Sequence, residues 1–404
     1  MKKLKYLLIT VTVIALAAAA AACAVNTPGK DGTVADVTDA PVSKGQMQVF
    51  DGSGRRIGGI DSRANCSAVD DGIFYSIFEL VNYEATATAE YRLFSKETNT
   101  DVLLGKFEGQ GYEAAYTRTE LGGRIYTLAI KGSAGGDSVP LVLLAFDPAN
   151  KTMETFTVSE NGFPYSDMAA VNGKLLIMNH EMSDRKKDTV YEFDPTSKTV
   201  KEVLSFQSEK DSLRGICAEE NGFYLLRLSI GNTANEMFLD LYANDFTKTS
   251  SVSVNELMVN SIMNITGILS RQDALNEIGM SVSHFSVADG RYMIYENFGL
   301  SRIILDLNTG ETLLAKEDLY AVSTGNGCPV VYRMDFDDEV KAPEITGLVE
   351  GRTVSCEFSP VDSHKLVRSI SKSASGTWAV VASDDYRAFQ WTLAVTLWTD
   401  NGQQ

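Results

Sequence analysis

Histidine is almost missing from this 404-residue chain: His180, His284 and His364 are its three, and they are far apart. Such scarcity removes sites built from histidine clusters. The HExxH helix of zinc proteases, the GxSxG elbow of hydrolases, the phosphate-binding P-loop and the GxGxxG dinucleotide turn are absent as well. Cysteine is nearly as rare, with five in all. Cys66, Cys217, Cys328 and Cys356 show no CxxC spacing, so no zinc site is signalled. Cys328–Cys356 is the one pair worth weighing as a disulfide, and buried free thiols are the commoner outcome. Basic residues are outnumbered, 36 Lys and Arg against 53 Asp and Glu, for a formal charge of −17. So acidic a chain is repelled by nucleic acid and by anionic headgroups. It leaves cations, neutral sugars, peptides and basic proteins as partners, with solubility as the plain explanation of the charge. Helical periodicity is nearly missing beyond residue 45.

What is present begins at the N-terminus. Lys2, Lys3 and Lys5 precede an uncharged stretch from Tyr6 to Ala22, apolar first and alanine-rich at its end. It falls short of the ~20 residues of a comfortable spanning helix and ends on the small residues that a processing site needs. Ala20-Ala21-Ala22-Cys23 resembles the lipobox of bacterial lipoproteins, although leucine usually stands where Ala20 does. The resemblance implies cleavage after residue 22, acylation of Cys23 and attachment to the outer face of a membrane. Loss of the three lysines would take the charge to −20. The alternatives are an ordinary secretory signal followed by a chance cysteine, and an uncleaved anchor. Residues 24–44, small and polar with two prolines and no aromatic, suit a flexible tether.

From Gln46 onward, short alternating runs between turn residues predict strands. A turn ending in glycine recurs before an apolar run at Gly72, Gly123, Gly173, Gly222, Gly290, Gly327 and Gly376. The spacings are 51, 50, 49, 68, 37 and 49, and four of the six lie close to the ~50 residues of a four-stranded blade. The 68 followed by 37 predicts an insertion after the fourth unit and a trimmed fifth. Asn-Gly and Asp-Gly offer the positive φ of tight hairpins. A second hairpin follows each, with Phe146-Asp147-Pro148 and Phe193-Asp194-Pro195 nearly alike. In the sixth unit, CEFSPVDSHKLVRSI reads as a worn copy. Small residues such as Cys66, Ser67, Ala169, Ala170, Cys217 and Ala218 mark the strand before the glycine turn as the innermost one. The seventh unit lacks a fourth strand, which Gln46–Phe50 can supply, closing the ring.

The expectation is therefore all-β: a seven-bladed β-propeller, six or eight blades staying open. Residues 1–22 are a signal peptide, 23–45 the lipidated cysteine and tether, and 46–404 the propeller. The repeats look like those of the broad TolB-like, quinoprotein-like and kelch-like propeller group, a resemblance of architecture that selects no function. One segment breaks the pattern. A short helical insertion is predicted around 254–279, with Ser270 capping a helix ended by Gly279; it is either a lid or partner surface, or a helix packed on the rim.

Chemistry is sparsely signalled. Asp335, Asp337, Asp338 and Glu339 form a weak Ca²⁺ candidate, with a solvated acidic loop as the plainer reading. Ser371–Trp378 resembles an Asp-box without its aspartate and reads as a turn. Tyr292, Tyr295, Phe298, Trp378, Tyr386 and Trp391 suit a sugar or peptide site, or packing between blades. No catalytic residue or cofactor is indicated. The reading that follows is a non-catalytic module binding a protein, peptide or glycan; the alternative is a hydrolase of glycan or peptide, with carboxylates in the central funnel.

Overall fold

The computed structural model describes residues 47–60, 66–81, 84–108, 113–130, 140–162, 166–180, 187–231, 235–266, 270–278, 282–288, 290–297, 302–311, 319–322, 330–333, 344–347, 353–354, 366–373, 375–383 and 393–399. A hairpin, β1 (Met47–Asp51) and β2 (Arg56–Ile60), comes first. The first meander is β3 (Cys66–Val69), β4 (Gly72–Val81), β5 (Glu84–Ser95) and β6 (Thr100–Glu108). The second is β7 (Glu113–Leu121), β8 (Arg124–Ile130), β9 (Leu141–Asp147) and β10 (Thr152–Ser159). The third is β11 (Asp167–Val171), β12 (Lys174–His180), β13 (Lys187–Asp194) and β14 (Thr199–Gln207). The fourth is β15 (Asp211–Glu219), β16 (Gly222–Ile230), β17 (Asn235–Ala243) and β18 (Lys248–Ser253).

Two helices interrupt the series, α1 (Asn255–Thr266) and α2 (Arg271–Ile278). A three-stranded sheet follows: β19 (Val282–Ala288), β20 (Tyr292–Asn297) and β21 (Arg302–Asp306). The sixth sheet is β22 (Leu319–Val322), β23 (Val330–Arg333), β24 (Glu344–Gly347) and β25 (Thr353–Val354). β26 (Leu366–Lys372), β27 (Thr377–Ser383) and β28 (Leu393–Thr399) form the seventh. The described strands thus make seven small sheets, antiparallel apart from one pairing, and the fold is all-β.

Middle strands such as β9 and β12 are largely apolar because both of their faces are covered. β9, LVLLAFD, is buried at six of seven positions, while every residue of the outer strand β18 is exposed. The core lies between consecutive sheets. Tyr91 of the first packs with Phe146 of the second, ring centroids 4.9 Å apart. Tyr126 of the second meets Phe193 of the third. Val49, Tyr75 and Val381 join the first sheet to the seventh. Each such side chain contributes about 1.5–3 kcal/mol by leaving water. The strands before the glycine turns touch one another: β7 with β11, β11 with β15, β15 with β19, β22 with β26, and β26 with β3.

The glycine turns have two physical origins. Asn172 and Gly173 hold φ of 47° and 74°, the tight hairpin that the Asn-Gly pair predicts. Gly222 answers a different demand. A Cβ there would sit 1.9 Å from the Tyr242 carbonyl oxygen on the third strand of its sheet. The second hairpins are built by aspartate. Asp194 Oδ1 accepts the backbone N–H groups of Thr196 and Ser197 at 2.8 and 3.2 Å, and Lys198 closes the turn at φ 56°. Asp147 and Asp306 accept N–H groups in the same way.

One expectation needs correction and two are sharpened. The second hairpin of the sixth unit is β24–β25, not the 356–370 segment, whose end becomes β26, the first strand of the seventh sheet. The N-terminal strand does join β28, but in parallel register, Val49 opposite Val395, whereas a meander would continue antiparallel. It brings β2 with it as a fifth strand. Of the two readings of the helical insertion, the packed one holds: Val254, Met258 and Val259 are buried in the core shared by the fourth and fifth sheets. Ser270 starts α2 as predicted, its Oγ accepting the Asp273 N–H at 3.4 Å. Among the described residues no helix is long and apolar enough to cross a membrane.

Candidate functional site

Antiparallel meanders place the connections at two ends. At one end lie the tight turns after the innermost strands, such as 70–71 and 172–173, with those after the third strands. At the other, the long-connection end, lie the ends of the second strands, the 208–210 turn and the helical segment. Contacts across sheets bring like ends together. At the tight-turn end the Asp70 N–H donates to Glu120 Oε1 at 2.8 Å, and the Ser375 N–H donates to Asp70 Oδ1 at 2.9 Å.

The long-connection end of the third and fourth sheets carries a band of buried polar groups. Asp188, at the start of β13, is 2% exposed. Its Oδ2 accepts the Leu213 N–H at 2.7 Å and the Ser212 Oγ–H at 3.1 Å, both from β15. Its Oδ1 lies 3.0 Å from His180 Nδ1. Serine, aspartate and histidine therefore meet here, but the aspartate stands between the other two. The Ser212 hydroxyl donates to a carboxylate rather than to imidazole, so this is not a nucleophile activated by a histidine base. Asp167 Oδ2 accepts the Ile216 N–H at 3.3 Å, a second tie between these sheets. Arg227 joins Asp240 and Asp211 through Nε and Nη1, at 2.6 and 2.5 Å, and lies over the Phe238 ring. Burial works to raise the Asp240 pKa, yet Arg227 and Ser251 outweigh it and hold the carboxyl below its usual range.

Arg214 sits in this band without such partners. The β15–β16 register shifts between Leu213 and Gly215, so Arg214 is the extra residue of a bulge on the innermost strand. Gly215 beside it is required by space: a Cβ would lie 2.6 Å from Phe285 Cβ of the next sheet. Bulges re-aim side chains and recur beside functional sites. The Arg214 Nε is buried and makes no hydrogen bond. A donor left so costs about 1–3 kcal/mol. Burial lowers the guanidinium pKa, while Asp188 and Tyr295 act in the opposite sense.

Other predicted positions distribute as follows. His180 is not isolated, since it pairs with Asp188; only the backbone of His284 is described, in β19. Tyr295 and Trp378 are buried at 0% and 1% exposure and pack in the core, whereas Tyr292 faces the Arg291 guanidinium. Ser371–Trp378 is an ordinary turn, with the Ser373 N–H donating to the Thr377 carbonyl. Cys66 and Cys217 are buried free thiols, and burial pushes Cys66 up to about 12. Cys23, Cys328, Cys356, His364, Phe298, Tyr386, Trp391 and the acidic run with Asp335, Asp337, Asp338 and Glu339 lie outside the described residues. Among the described residues no group of His, Cys, Asp and Glu is placed to hold a metal ion. A cleft of about 320 Å³ lies where the seventh and first sheets meet, lined by Asp51, Arg55 and Lys96 among others. Sequence reasoning missed Arg214 and Asp188. The one local signal was an arginine followed by glycine on an innermost strand.

No protein-family model matches this chain, and no curated protein does. Among solved structures it is similar to the β-propeller domain of the Trilobed protease from Pyrococcus furiosus, at 8% identity and a TM-score of 0.41, over 72% of this chain and 83% of that one. It is also similar to a Pyrococcus horikoshii acylaminoacyl peptidase, at 8% and 0.42, over 71% of this chain and 45% of that one. Porphyromonas gingivalis dipeptidyl peptidase 4 matches at 10% and 0.38, over 83% and 62%. The chain spans less than two thirds of the length of these two peptidases. Likenesses this distant say nothing of its own activity.

Proposed function

We propose that this chain is a lipid-anchored, extracytoplasmic β-propeller of seven blades that binds a protein, peptide or glycan at its long-connection end without transforming it. The anchor rests on Cys23 after its basic and apolar leader and on the polar stretch that follows. Seven blades and a closed ring are supported by the unbroken series of sheet contacts, the seventh sheet touching the first through β26, β27 and β2. The binding role rests on one observation: polar side chains of the third and fourth sheets converge at one end. There Ser212, His180 and Asp167 are engaged with Asp188 or backbone, while Arg214 has its Nε unpaired.

Two measurements on the full chain in cells test this. Palmitate labelling should be lost in Cys23→Ser and the protein released; label retained by the variant refutes the anchor. A photo-crosslinking residue at exposed Lys210, at the long-connection end, should give adducts that the same residue at Lys198, at the opposite end, does not. Adducts only from position 198 would refute the assignment of the binding end.

A further inference from the structure

The geometry points to Arg214 as the anion-recognising group of this end, and to a carboxylate as the ligand group it takes. The inference rests on the long-connection end being the binding face and names the chemistry it selects. Three features carry it. First, Arg214 is a bulge residue, so its side chain departs from the alternation that would commit it to a sheet interface. Secondly, no hydrogen bond or ion pair joins it to the carboxylate that acts on it from the neighbouring sheet. That group, Asp188, accepts from Leu213 and Ser212 and lies beside His180. The Nε–H is left buried with no acceptor. Thirdly, other buried or half-buried arginines are held through their terminal nitrogens, even where, as at Arg118, the Nε likewise makes no hydrogen bond. Arg227 is bound by Asp240 and Asp211, and Arg118 donates to Ser67 Oγ and the Phe74 carbonyl.

The guanidinium edge offers two parallel N–H donors whose spacing fits a planar carboxylate. A monoanion also suits the rest of the molecule better than a phosphate dianion. The whole sequence carries a formal charge of −17, and one arginine cannot offset two negative charges against that field. Ser212, Asp188 and His180 hold β15 against β13, which keeps the bulge and its arginine in place.

The carboxylate could be the C-terminus of a peptide or the acid of a sugar. The test separates them with four probes added to the full chain: N-acetyl-Ala-Ala and its amide, and methyl glucuronide and its methyl ester. Binding is read from the Arg214 Nε–Hε resonance in ¹⁵N spectra and from calorimetry. One free acid should shift that resonance, and its neutral counterpart should not. Arg214→Lys should weaken binding at least tenfold at an unchanged melting temperature. The resonance in the unaltered protein keeps the test valid should the variant fold poorly. Equal binding of acid and neutral probe, tighter binding of inorganic phosphate, or a resonance unmoved by either acid overturns the inference. Crosslinks from position 210 combined with an unmoved Arg214 would refute the carboxylate and leave the binding face standing. A shifted Arg214 with crosslinks only from position 198 would do the reverse.

Discussion

Glu120 shows how a single group is set by its neighbours in space. Burial pushes its carboxyl up to about 7, and Asp70 and Asp71 add repulsion, against the Asp70 N–H and Lys96. The folded state therefore holds this proton more tightly than the unfolded chain. The stabilisation it contributes is complete below about pH 4.5 and is lost as pH rises through about 7. Glu120→Gln keeps an acceptor for the Asp70 N–H and removes the titration. In urea unfolding it should match the parent at pH 5 and exceed it by about 1–2 kcal/mol at pH 8. Asp306 has the opposite sign. Arg291 and the Asn308 and Thr309 N–H groups outweigh burial and hold it at about 2, so its contribution is present above the ordinary carboxylate range and fades on acidification below it. Turn aspartates of this kind were legible at Asp147 and Asp194, since turn chemistry acts within a few residues. Glu120 was not, because Asp70 reaches it from another sheet.

At the scale of elements, the helical segment separates local from distant information. Its helical spacing and the Ser270 cap were readable because both act within one or two turns. Whether it forms a lid or a wedge was not, since that depends on what its apolar side meets. The structure seats Met258 and Val259 among Leu239, Met293 and Leu305, beside a sheet with three described strands. Met258→Ala should therefore lower stability by about 2–5 kcal/mol in urea unfolding. Arg271→Ala breaks an exposed ion pair with Glu256, which solvent screens, and should leave stability nearly unchanged. Small effects from both would mean that the helix is dispensable to the core. β15 teaches a related lesson. Its strand character was plain from alternation, but its bulge was not, because one extra residue leaves little trace in so short a pattern.

For the whole molecule, the pairing of β1 with β28 joins residues more than three hundred positions apart. Met47 and Val49 are buried with Val395 and Leu397, so the join carries core as well as backbone hydrogen bonds. Deleting residues 46–50 should lower the melting temperature of the entire body in one cooperative transition. An unchanged melt would show that the first and seventh sheets hold together without it. The 320 Å³ cleft lies at this same junction, beside β1 and β2.

Strand positions, the roughly fifty-residue repeat, the aspartate turns and the interrupting helices were determined by the amino-acid sequence alone. Each follows from period-two burial, turn conformations or capping, which operate over a handful of neighbouring residues. The parallel register of β1, the Ser212–Asp188–His180 cluster and the unpaired Arg214 were decided only by the tertiary structure. They depend on which side chains are brought together by packing between sheets, and local sequence patterns carry no record of that.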